Sequence, residues 1–118
     1  MSRRWSAVSE SVIVAQCLEW LALRRIFAWR NNTGACKLDG RWLRYGHPGS
    51  GDILGILPNG LFLSVECKTP VGRQSKPQKL FQSMVEKNGG VYLVARSAAD
   101  LERHFIEDPR LASVGLNV

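Results

Sequence analysis

No stretch of this sequence is apolar for the roughly 20 residues that a helical membrane span requires, so no such span is expected. Arg3 and Arg4 near the start are followed by a polar region instead of an apolar core, so no signal peptide is expected. Cysteine is scarce: Cys17, Cys36 and Cys67 are widely spaced, form no Cys-x-x-Cys pair and have no histidine positioned to complete a zinc site. A reduced, cytoplasmic chain is therefore expected. Histidine is scarcer still, and His47, beside Pro48-Gly49, and His104, on a late helix, both read as structural. Acidic residues are outnumbered, 10 against 16 basic ones, for a formal net charge of +6. That balance suits a polyanionic partner, although a membrane surface or simple solubility would suit it equally. The cations form no dense tail, so a folded groove is the better expectation than a disordered basic arm.

What remains is a chain of 118 residues with 45% hydrophobic content, enough to bury one core and too little for two. A single domain over 1–118 is expected. Ser6 or Ser9 can cap a first helix in which Val12, Ile13, Ala15, Leu18, Leu21 and Ala22 recur at helical spacing up to Arg24 or Arg25. Ile26 to Arg30 reads as a short strand, closed by Asn31-Asn32-Thr33-Gly34. Ile53 to Leu57 and Leu61 to Val65 are extended apolar runs joined by the turn Pro58-Asn59-Gly60, which makes a β-hairpin. Ser75 can cap a helix with Pro77 in its first turn, Leu80, Phe81, Met84 and Val85 as its buried stripe, and Gly89-Gly90 as its end. Val91 to Ala95 is a strand of the kind covered on both faces, and Ser97 with Asp100 starts a last helix, to about Ile106. The expected fold class is α/β: a small mixed β-sheet flanked by helices, with a crossover through the Gln78 helix.

The segment from Ala35 to Gly51 has the least regular pattern. Lys37, Arg41 and Arg44 are mixed with Trp42, Tyr45 and His47. This mixture either contacts phosphates and exposed bases or forms a surface hairpin whose aromatics pack on the core.

The chemistry is concentrated in Gly51-Asp52 and in Val65-Glu66-Cys67-Lys68. In an antiparallel hairpin the start of the first strand lies opposite the end of the second, so Asp52 comes near Glu66. Alternation along a strand then puts Glu66 and Lys68 on one face, while Cys67 points away and leaves its backbone carbonyl nearby. Carboxylate oxygens are the hard ligands of Mg²⁺ and Mn²⁺, and two of them repel each other until a cation joins them. Such a metal acidifies a bound water and neutralises charge on a phosphate, and an ammonium such as Lys68 can hold the water or stabilise the charge that develops. An ordinary solvated strand edge with a cross-strand pair would carry some of the same residues. Glu10 either joins this site or only favours its helix N-terminus. Gln78 and Lys79 either reach the phosphate and the metal-bound water or are solvated first-turn residues.

These motifs, in this order, resemble the PD-(D/E)XK nuclease superfamily, with Asp52 and Glu66-Cys67-Lys68 as its two-part motif. Within it the chain resembles the VRR-NUC family, over Glu10, Trp29-Arg30-Asn31-Asn32-Thr33-Gly34, Gly51-Asp52, Val65 to Pro70, Ser75 to Gln78 and Gly89-Gly90. The resemblance implies a restriction-endonuclease-like core. It implies metal ligands at Glu10, Asp52, Glu66 and the Cys67 carbonyl, a water-assisting Lys68 and a supporting Gln78. One departure is visible, because the usual Pro-Asp pair is replaced by Gly51-Asp52, with Pro48 upstream. The resemblance further implies a Mg²⁺- or Mn²⁺-dependent endodeoxyribonuclease without an organic cofactor, of phage or prophage type. Short stand-alone members resemble Holliday junction resolvases, which act as homodimers on four-way junctions. Arg30, Asn32, Lys37, Arg44, Arg73, Lys76 and Lys79 are the candidates for contact with branched DNA. A flap or nicking nuclease of the same fold and a catalytically silent DNA-binding module are the alternatives.

Overall fold

Ser9 starts the first helix: its Oγ accepts the Val12 N–H at 3.3 Å, satisfying one of the donors that every helix N-terminus leaves free. The computed structural model describes residues 8–112, so Ser6, the other foreseen cap, lies outside the described residues. In chain order the elements are α1 (Glu10–Leu23), β1 (Phe27–Arg30), β2 (Gly34–Leu38), β3 (Arg41–Tyr45), β4 (Ile53–Ile56), β5 (Phe62–Cys67), α2 (Lys76–Lys87), β6 (Val91–Ala95) and α3 (Ala98–Glu107).

Four strands form one mixed sheet in the order β1-β4-β5-β6. The β1–β4 and β4–β5 pairs are antiparallel, and β5–β6 is parallel, joined by the α2 crossover. The expected turn is present, with Gly60 at φ 89°, a left-handed conformation open to glycine at little cost. One face of the sheet carries Ile53, Leu63, Val65, Cys67, Val91, Leu93 and Ala95, which pack with Ile13, Val14, Cys17, Trp20 and Leu21 of α1 and Leu101 and Phe105 of α3 into a single core. By alternation the other face carries Leu54, Ile56, Ser64, Glu66 and Tyr92, and α2 covers only its β6 side.

Three expectations change. In α1 only Ile13 and Leu21 of the foreseen stripe are buried, whereas Val12, Ala15 and Ala22 are exposed. The helix is apolar around most of its girth, so spacing alone does not select the inward side. Trp20 selects it, by packing its ring 5.1 Å from Phe105 and donating Nε1–H to Glu102 at 3.3 Å. In α2 only Val85 of the foreseen stripe is buried, while Leu80 and Met84 are 64% and 56% exposed. The helix sits over one edge of the sheet, so its Leu80–Met84 side overhangs and lines an apolar surface groove with His47, Pro48, Pro77 and Phe81. The segment with the least regular pattern contains a two-stranded antiparallel hairpin, β2–β3, and its aromatics do not pack on the core: every residue of both strands is exposed. Asp39 and Gly40 at its tip have φ 52° and 76°, the signature of a tight turn that matches strand twist.

Candidate metal and phosphodiester site

The site is built by register. Ile53 pairs with Val65, so one step further Asp52 falls opposite Glu66 at the mouth of the β4–β5 ladder. The Asp52 carboxylate is fixed there because its Oδ2 accepts the Cys67 N–H at 2.8 Å. Gly51 lets β4 approach this closely. A Cβ on it would lie 2.4 Å from Ser64 Oγ and 2.7 Å from the Val65 carbonyl oxygen, and its N–H donates to Ser64 Oγ at 3.1 Å. Glycine is required at this position, since proline has neither the space nor the N–H.

Glu66 is the most constrained group. It is 3% exposed, its Oε2 accepts from Gln78 Nε2 at 2.6 Å, and Lys68 Nζ stands 3.9 Å from the same oxygen. Its Oε1 is buried without a hydrogen-bond partner, as is the Tyr92 hydroxyl on the same sheet face. Burial and the facing Asp52 carboxylate push the Glu66 pKa up from 4.5 to about 8, against the downward pull of Lys68. Burial likewise raises the Tyr92 phenol, helped by the Glu66 charge. A buried carboxylate oxygen with no donor beside a second carboxylate is an environment short of positive charge.

Gln78 is held by its own helix. Its N–H donates to Ser75 Oγ at 3.3 Å and its Oε1 accepts the Ser75 N–H at 2.8 Å, a complete capping box that leaves Nε2 free for Glu66. Lys68 is held from behind: its N–H donates to the Ala95 carbonyl at 3.1 Å. Arg96, which the sequence reading did not single out, closes the loop after it by donating to the Thr69 and Gly72 carbonyls at 2.5 and 2.7 Å. Asn31 was also missed as a site residue. Its N–H donates to the Asp52 carbonyl at 2.7 Å and its side chain to Ser50 Oγ and the Gly51 carbonyl at 2.8 and 2.9 Å. Asn31 stands in the Asn-Asn-Thr-Gly turn, whose residue types signal local hydrogen bonding without saying to what.

The structure brings together Asp52, Glu66, Lys68 and Gln78, with the Cys67 backbone between Glu66 near the end of β5 and Lys68 just after it. Glu10 is the first residue of α1, exposed, and its charge adds the smallest of the contributions that raise Glu66. Among the described residues no three His, Cys, Asp or Glu side chains converge as a metal-holding group, so Glu10 does not complete a triad with Asp52 and Glu66 in this conformation. The two carboxylates and a backbone carbonyl are the donors on hand. They fit a hard divalent cation in type and charge, and the partnerless Glu66 Oε1 is the atom such a cation would satisfy.

The candidate DNA contacts are all exposed but scattered. Arg73 and Lys79 flank a cleft of about 530 Å³ with Gln74, Arg96, Arg103 and His104, where Arg103 is already paired with Asp100 and Glu107. Lys76 opens α2, Asn32 lies at the base of the β2–β3 hairpin, and Lys37 and Arg44 are on it. Arg30 pairs with Ile53 and so belongs to the sheet face opposite Glu66, away from the other candidates. Among the described residues no helix is long and apolar enough to cross a membrane. The chain matches no protein-family model, no curated protein and no solved structure.

Proposed function

We propose that this chain is a Mg²⁺- or Mn²⁺-dependent endodeoxyribonuclease with a PD-(D/E)XK-type core, similar to the VRR-NUC family, that hydrolyses phosphodiesters in branched DNA. The observation that carries the reading is the Glu66 carboxylate: buried, facing Asp52, with Lys68 and Gln78 on one oxygen and nothing on the other. Buried side-chain polar atoms are mostly paired, so an acid oxygen left without a donor at that depth calls for a partner.

Asp52, Glu66 and the Cys67 carbonyl would hold the metal, which when bound supplies a water acidified toward neutral pH and neutralises charge on the scissile phosphate. The chain's own residues do the rest. Gln78 fixes the rotamer of Glu66, and the Cys67 N–H fixes that of Asp52, so both carboxylates are oriented before substrate arrives. Lys68, 3.9 Å from Glu66 and with its ammonium mostly enclosed, is placed to hold the attacking water and to oppose charge on the phosphoryl oxygens. A single site cuts one strand, so paired cuts across a four-way junction call for two copies related by a two-fold axis.

The test is cleavage of a labelled four-way junction beside flap, linear duplex and single strand, with Mg²⁺, Mn²⁺ or EDTA and with Lys68→Ala as control. Symmetric nicks on the junction, lost with EDTA and with the variant, are the expected result. Preference for flaps or nicks moves the reading to a repair nuclease of the same fold. The exposed position of Glu10, which among the described residues does not join Asp52 and Glu66, favours a second reading, a DNA-binding module without activity, and binding without metal-dependent cutting of any substrate would establish it.

A further inference from the structure

The β2–β3 hairpin is an unusual expense of sequence. Its strands contribute nothing to the core, and an isolated two-stranded ribbon is marginal in water, so its composition reflects what it meets. The pairing sorts its side chains cleanly. Lys37 faces Trp42 and Ala35 faces Arg44 on one side, while Cys36–Leu43, Gly34–Tyr45 and Leu38–Arg41 occupy the other. The first side is therefore an indole between two cations. Trp42 is 70% exposed, more than Trp20 or Trp29, and among the described residues neither Lys37 nor Arg44 has a carboxylate partner. The ribbon's single acid, Asp39, is at the far tip.

Where the ribbon is anchored matters as much. Asn31 at its entrance grips Ser50 and Gly51 at its exit and also binds the Asp52 carbonyl. The returning loop presses Gly49 so closely on the first turn of α2 that a Cβ there would lie 2.1 Å from the Pro77 carbonyl oxygen. The entering foot is thus tied to the Asp52 backbone and the returning loop to the first turn of α2, which carries Gln78, so the ribbon is rooted beside the carboxylates.

We propose that the Lys37–Trp42–Arg44 face binds the nucleic-acid strand entering the site, with the two cations on phosphates and the Trp42 indole stacked on an unpaired base. A nucleic acid answers both features at once. Its phosphates match the uncompensated cations, and a splayed base offers the flat apolar face that covers an indole. The ribbon would make the chain favour DNA with unpaired nucleotides beside the cut, as at a branch point. That preference rests on the nuclease reading; the binding itself does not.

The test is anisotropy of labelled single-stranded, tailed and fully paired oligonucleotides in EDTA, where cleavage plays no part, with Trp42→Ala, Trp42→Phe and the double variant Lys37→Gln/Arg44→Gln. Trp42→Ala should weaken single-stranded and tailed DNA about tenfold and paired duplex much less, with Trp42→Phe retaining most of the affinity. The double variant should weaken all three and lower the salt slope by about two. Unchanged binding of single-stranded and tailed DNA by Trp42→Ala overturns the proposal. So does a shift in sedimentation with the variants, which would make the ribbon a contact between copies. If the variants lose binding while wild type cuts nothing with Mn²⁺, the ribbon proposal stands and the nuclease reading falls; the reverse result separates them the other way.

Discussion

Gln78 Nε2 donates to Glu66 Oε2 at 2.6 Å while Gln78 Oε1 accepts the Ser75 N–H at 2.8 Å, so a single amide caps α2 and orients the buried acid. Gln78→Ala should remove both contacts. It should lower stability by about 1–2 kcal/mol, the range for a lost cap and hydrogen bond, and weaken Mn²⁺ binding because the Glu66 rotamer is no longer fixed. Denaturant melts with and without Mn²⁺ check this. An unaltered metal affinity in a destabilised variant would confine Gln78 to the helix cap.

The raised Glu66 pKa fixes the pH dependence of the metal-free chain. The folded state keeps its proton up to about 8, whereas the unfolded chain loses it near the ordinary 4.5. In that window the native state binds more protons, so Glu66 makes stability fall as pH rises, and the loss is complete above about 8. Asp108, held below its ordinary 3.8 by the Arg110 guanidinium, acts in a separate acid window and in the opposite sense, its contribution being lost as pH falls. Melts in EDTA from pH 4.5 to 8 should show the decline, Glu66→Gln should flatten it, and added Mn²⁺ should restore stability most at the alkaline end.

Gly51→Pro would create a Pro-Asp pair before β4 and should damage this chain. It removes the N–H that binds Ser64 Oγ and places atoms where Ser64 and Val65 already are. A loss of about 2–3 kcal/mol is expected, from the orphaned hydroxyl and the forced shift of β4. Gly51→Ala, which keeps the N–H, should lose less; equal or higher stability of Gly51→Pro in urea would contradict the packing described.

Arg96→Ala should act on Lys68 through the loop it closes. With the Thr69 and Gly72 carbonyls released, cleavage should fall in kcat more than in KM, because the substrate contacts remain while the ammonium is less well held. Both bonds come from the single Nη1, so Arg96→Lys, whose ammonium also carries more than one donor, should recover most of the loss.

The acids were legible in the sequence because each step was local. Pro58-Asn59-Gly60 fixed the turn, the turn fixed the register, and alternation placed Glu66 and Lys68 on the side of Asp52. Gln78 was legible as the third residue after a Ser cap. The β2–β3 hairpin was legible only as one of two alternatives, because its cations and aromatics suit a phosphate-contacting loop as well, although Asp39-Gly40 is a strong hairpin signal. Its exposure was not legible, since aromatic residues are usually read as core. Arg96 and Asn31 act on backbone carbonyls distant in sequence, and no spacing rule encodes such a contact. The inward side of α1 was ambiguous because Val12 and Leu23 are as apolar as Ile13 and Leu21, and only the position of α3 decides between them.

The most direct measurement is calorimetric titration of Mn²⁺ into wild type and Asp52→Ala at pH 7.5. Wild type should bind with release of protons, because the metal displaces the one held by Glu66, and Asp52→Ala should bind at least tenfold more weakly while melting cooperatively. No binding by wild type, or equal binding after Asp52→Ala, would contradict the assignment of the Asp52–Glu66 pair as a metal centre.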